Sequence, residues 1–96
     1  MKTKLINAIL NRECLSIIYD GLQRLVQPAA VGISHAGNEV LRCYQISGGH
    51  ISPDHDWDLL KLSKITGLSA TGSHFQGYPP GYRRGDKGMI TIYAQL

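Results

Sequence analysis

Ninety-six residues, 43% of them apolar and 18% charged, suffice for one folded domain and leave no room for a second core. The net charge of +3 favours anionic partners, yet it is weaker than a dedicated duplex-DNA binder carries. No run of about 18 apolar residues is present, so no membrane span is expected.

The N-terminal MKTKLINAILNRECL opens with lysines and a short apolar run, but Asn7, Arg12 and Glu13 interrupt it and no small-residue cleavage site follows. It is not read as a signal peptide. Within it, residues 3–12 carry Leu5, Ile6, Ile9 and Leu10 as a helical apolar stripe with Thr3 as N-cap. A helix this short must pack on something else. CLSIIYD then reads as a strand, and Asp20-Gly21 is a two-residue hairpin signal returning the chain through LQRLVQPAAVGI. Pro28 cannot donate to a ladder and marks a bulge, bend or edge in that second strand.

SHAGNE turns the chain at Gly37-Asn38 into a third strand, EVLRCYQIS. GGHISPDHD is a loop and WDLLKL a fourth strand, followed by one helical turn around residues 63–65 and a short fifth strand. A long loop runs from Gly72 to Gly88. The closing MITIYAQL is extended by propensity, although Met89, Ile92, Tyr93 and Leu96 also fit one helical face. The expected fold class is mainly β with one N-terminal helix: a small SH3-like or Sm-like β-barrel of about five strands, the helix capping one open end. Cys14 and Cys43 fall in apolar strand-like runs and read as buried thiols of a reducing, cytoplasmic compartment. There the Arg84-Gly85-Asp86 triplet, which spells a cell-adhesion tripeptide, meets no receptor and is set aside.

No nucleophile elbow and no phosphate-binding glycine motif occurs, so an enzyme is not expected. His50, Asp54, His55, Asp56 and Asp58 bring imidazole and carboxylate together, but their spacing matches no standard zinc pattern and the stretch reads as a polar turn; no metal or cofactor is expected. Arg24 and Arg42 alternate with Leu25 and Leu41 and are expected to face outward. Arg42, Tyr44 and Ile46 share one strand face, with Cys43, Gln45 and Ser47 on the other. A guanidinium fork beside a tyrosine ring suits phosphates and nucleotides. Trp57 reads as partly core, and Lys64 is compatible with phosphate contact. In YPPGYRRGDKGM, Tyr82, Arg83 and Arg84 interleave ring and charge, while Pro79-Pro80 makes the segment a stiff arm for a ligand or for a neighbouring subunit.

The order INAILNRECLSIIY, RLVQPAAVG, VLRCYQIS and WDLLKLSKITGLS resembles a WYL domain over residues 5–69. Tyr19, Arg24, Pro28, Tyr44, Lys64 and Ile65 match family positions. Cys43 and Gln45 replace the tryptophan and leucine of the naming tripeptide, and Lys64 stands for an arginine. The resemblance implies an Sm-like barrel and a ligand-sensing module of bacterial or phage type whose ligands are nucleotides or nucleic acids. The winged helix-turn-helix of the family's transcription regulators is not expected here. The expected function is a non-enzymatic binder of a phosphate-bearing ligand (a nucleotide, cyclic nucleotide or short oligonucleotide), acting as a regulator or a nucleotide-sequestering protein. Arg24, Arg42, Tyr44, Lys64, Tyr82, Arg83 and Arg84 are its contact residues. The alternative is an interaction subunit without a small ligand; a homo-oligomer, with the dimer as one form, is expected.

Overall fold

The computed structural model describes residues 1–48 and 56–96. Helix α1 (Lys2–Asn11) leads into β1 (Glu13–Tyr19), β2 (Leu22–Ser34), β3 (Glu39–Gly48) and β4 (Trp57–Lys61). A 3-10 turn (Leu62–Lys64) follows, then β5 (Ile65–His74) and β6 (Met89–Gln95). The first hydrogen bond of α1 runs from Leu5 N to Met1 O, so the helix begins one residue before the expected cap and Thr3 lies inside it. Leu5, Ala8 and Ile9, at helical spacing, are buried, and Arg12 closes the helix in the left-handed region at φ 51°.

All described strand pairs are antiparallel, in the order β4-β3-β2-β1-β5, with β6 hydrogen-bonded to β2 off that path. The Asp20-Gly21 turn forms as the dipeptide predicts, with both residues at positive φ (53° and 72°). β2 is the long central strand. Its first half pairs with β1, ending at Leu15↔Val26, and its second half pairs with β6, beginning at Ala30↔Gln95. Pro28 falls in the gap between these two partners, where its missing N–H costs no ladder bond, and a bulge separates Pro28 from Ala30 on the β3 side. Residues 89–96 are therefore the sixth strand and its end rather than a helix. Leu96 N donates to Ala29 O at 2.9 Å, completing the handover.

The sheet curls but does not close, which corrects the expected barrel. Among the described residues no ladder joins β4 to β5; the 3-10 turn links them directly, and Lys61 N donates to the Tyr19 hydroxyl (3.3 Å) across the opening. Leu15, Ile17, Val26, Val31, Leu41 and Cys43 fill the inner face of the sheet, and Leu5 and Ile9 of the helix pack onto them. On the outer face Ala30, Val40 and Met89 form a second, smaller cluster with Ile92 against it. Cys14 and Cys43 are buried free thiols, and burial pushes the Cys43 thiol far up, so neither reads as a nucleophile. No described helix is long and apolar enough to cross a membrane.

The close approach of β2 to β6 depends on Gly32. A Cβ there would collide with the Thr91 carbonyl oxygen, which is backbone and cannot swing away. Gly32→Ala is expected to cost about 1–3 kcal/mol as overpacking, read from the urea midpoint. An unchanged midpoint would mean that β6 does not hold this register.

Candidate functional site: a basic cleft over the outer face of the sheet

The segment between β5 and β6 folds back over the outer face of β3 and β4 and is tied down along its length. Phe75 N donates to Arg12 O (2.9 Å), and Arg12 Nε to Gly77 O (2.9 Å). The Arg12 guanidinium lies 5.3 Å from the Tyr78 ring centre, and Tyr78 stacks on Tyr82 with centroids 5.2 Å apart and planes within 2°. Trp57 Nε1 donates to Pro80 O at 2.8 Å, Tyr82 Oη to Leu96 O at 2.7 Å, and Gly85 N to Gln95 Oε1 at 2.9 Å. His35, in the β2–β3 turn, meets Lys87 O through Nε2 at 2.9 Å. The stiffness expected from Pro79-Pro80 is thus reinforced by contacts from distant parts of the chain.

The strongest of these contacts joins β3 to the loop. Arg42 Nε and Nη2 donate to Asp86 Oδ2 (2.7 Å) and Oδ1 (3.2 Å), a forked charge-assisted pair, and Gly88 N donates to Oδ1 at 2.8 Å. The Asp86 side chain is only 9% exposed. The Arg42 hydrogen bonds, with the Gly88 amide adding to them, hold its carboxyl below the ordinary carboxylate range against the opposing effect of burial. This geometry also explains why the Arg-Gly-Asp triplet is not displayed: its aspartate is turned inward onto β3.

Between the loop and the sheet lies a cleft of about 330 Å³, lined by Ala30, Arg42, Trp57 and residues 81–87. Arg42, Arg83, Arg84 and Lys87 set four cations against the single carboxylate of Asp86, and the last three cations are exposed at the rim. Trp57 and Tyr82 supply ring surface. Tyr44 stands behind Trp57, ring centroids 5.4 Å apart and tilted by 58°. The groups present suit an anion with a flat apolar part: guanidinium and ammonium for the charge, indole and phenol for the plane.

Of the seven residues expected to make contact, Arg42, Tyr82, Arg83 and Arg84 line this cleft and Tyr44 supports it from behind. Lys64 is exposed at the end of the 3-10 turn and does not line it. Arg24 departs from the expectation. It faces inward and is 4% exposed, with Nη1 3.6 Å from Asp58 Oδ2, Nη2 donating to Tyr19 O at 3.4 Å, and its guanidinium 5.3 Å from the Tyr19 ring centre. The apolar residues at both 25 and 26 leave the strand's parity open. Val26 takes the core position, so Arg24, two residues before it, points the same way. Asp58, on the neighbouring side of Cys43, provides the counter-charge.

Trp57 does more than the sequence suggests, since it packs against the core and lines the cleft at once. Asp86, Lys87 and the bracing Arg12 join the site only through the fold: Asp86 and Lys87 sit in the charged run at 83–87, while nothing near Arg12 in the sequence points to the cleft. His50, Asp54 and His55 lie outside the described residues, and among the described residues no group of three metal-ligating side chains converges. No family model matches the chain, and neither a curated protein nor a solved structure matches it.

Because Asp86 titrates below its unfolded value, its pairing contributes stability that is complete above the unfolded carboxylate pKa of about 3.9 and is lost as pH falls through the lower, folded value. Asp86→Asn is expected to lower the urea midpoint at pH 7, and the gap to wild type should close as pH falls below about 4. A gap that stays constant down to pH 2, about two units under the unfolded value, would remove the ionised pair as its cause.

Proposed function

We propose that this chain is a non-enzymatic module that binds a phosphate-bearing ligand of nucleotide or short single-stranded type in the cleft under the 75–88 loop, as a regulator or a sequestering protein. The observation that carries this reading is the meeting of four cations with the Trp57 and Tyr82 rings in one braced cleft. Arg83, Arg84 and Lys87 hold phosphate at the rim, and the rings take the base by stacking. Arg42 stands deeper, held by Asp86. Arg24 has no part in this contact: buried against Asp58 and Tyr19, it braces the inner face. The reading agrees with the ligand class that the WYL-like order of segments implies, and that resemblance is part of the proposal.

A second reading, assembly with copies of the same chain, is supported by β5. It ends the strand path, and from Ile65 to Ser73 it carries no charged side chain to discourage pairing along its outer edge. Light scattering on a size-exclusion peak decides this separately: a monomer at every concentration would remove it.

For the binding reading, affinity for a mixed-sequence oligonucleotide of about ten nucleotides is measured against salt. Arg83→Ala with Arg84→Ala is expected to weaken binding and to lower the log–log salt slope by about 0.7 for each arginine that contacts phosphate. Unchanged affinity and slope in the double variant would sink the assignment of this cleft.

A further inference from the structure

The floor of the cleft contains an anion cradle that is already occupied from within. Arg42 presents Nε and Nη2 as a fork, and Gly88 adds a backbone N–H, all converging on the Asp86 carboxylate at 2.7–3.2 Å. This is the donor set that recognises a carboxylate or a phosphate. Asp86 is tethered to the same loop as the rim cations and lies between Gly85 and Gly88, so it competes with any incoming anion at a high effective concentration. An internal phosphodiester brings a single negative charge, as the carboxylate does, and has no advantage against a tethered rival. A terminal phosphate monoester brings about −1.5 to −2 at pH 7 and three acceptor oxygens. It brings the larger charge with which to displace Asp86 from the fork.

Resting on the binding reading above, we infer that Asp86 gates the fork of the cleft, excluding internal phosphodiesters from Arg42 and reserving that fork for a terminal phosphate monoester, such as a nucleoside monophosphate or the phosphorylated end of a strand. On binding, the monoester takes the Arg42 hydrogen bonds and the Gly88 N–H, Arg83, Arg84 and Lys87 offset its second charge, and the released carboxylate turns to solvent. No bond is made or broken. Protonating the monoester below its second pKa, about 6, removes the advantage, so the preference fades on the acid side.

The test uses the full chain with two short oligonucleotides of one sequence, one bearing a terminal phosphate and one a terminal hydroxyl, titrated by fluorescence anisotropy at pH 7.5. Wild type is expected to bind the phosphorylated strand on the order of tenfold more tightly. Asp86→Asn should raise affinity for the hydroxyl strand, since Arg42 is then open to a diester, while the phosphorylated strand keeps its advantage at the fork. Arg42→Lys, which keeps the charge and loses the fork, should erase it by lowering affinity for the phosphorylated strand; thermal unfolding of each variant checks that it folds. Equal binding of both strands by wild type would overturn this inference and leave the binding cleft standing. A preference that survives in Arg42→Lys, or a hydroxyl-strand affinity that Asp86→Asn leaves unchanged, would also overturn it, placing the recognition on the rim cations. Failure of wild type to bind either strand would remove the binding reading and this inference with it.

Discussion

The path of β2 is the constraint on which the structure depends. β1, β3 and β6 all hydrogen-bond to this one strand, which changes partners along one edge while keeping β3 along the other. Two partners cannot overlap on one edge, so a gap must separate them. Pro28 supplies the break, and the adjacent bulge lets the strand turn inward over the helix-capped core. The loop that leads into β6 crosses the outer face of β3 and β4, held there by Arg42 and Trp57. The cleft is a consequence of that crossing.

A loop of fourteen residues rich in glycine and proline would ordinarily sample many conformations, and ordering it has an entropic cost. Here the cost is offset by contacts spread along it: the Arg12, Tyr78 and Tyr82 column, the Trp57 and Tyr82 hydrogen bonds to backbone carbonyls, and the Arg42–Asp86 fork. The ring donors of Trp57 and Tyr82 both point away into the loop and the C-terminus. Their rings line the cleft, and the cations Arg83, Arg84 and Lys87 stand exposed beside them.

The inner face tells a contrasting story about charge. Arg24 and Asp58 are taken out of water together, and a buried pair of this kind gains little over apolar packing while being costly to break by removing one partner. An arginine in a strand can therefore serve as a brace on one face or as a contact on the other. Arg24 and Arg42, on adjacent strands, face opposite sides, and each is held by an aspartate.

Local chemistry made much of the fold legible. Alternation and β-branched runs mark the strands, Asp20-Gly21 adopts positive φ because few other dipeptides tolerate it, and Pro28 announces an interrupted ladder; each of these acts between neighbours in the chain. The amino-acid sequence by itself determined the mainly β class with one helix, the order of its elements, and a basic, aromatic loop near the end. Three matters were decided only by the tertiary structure: that the sheet stays open, that Arg24 points inward, and that Arg42 is held by Asp86. The physical reason is the same in each case. The Arg42–Asp86 pair spans 44 residues and Arg24 meets Asp58 from a different strand, so their partners are set by where the whole chain runs. Parity at residues 25 and 26 was settled by which apolar side chain the core could take, a choice that periodicity alone leaves balanced.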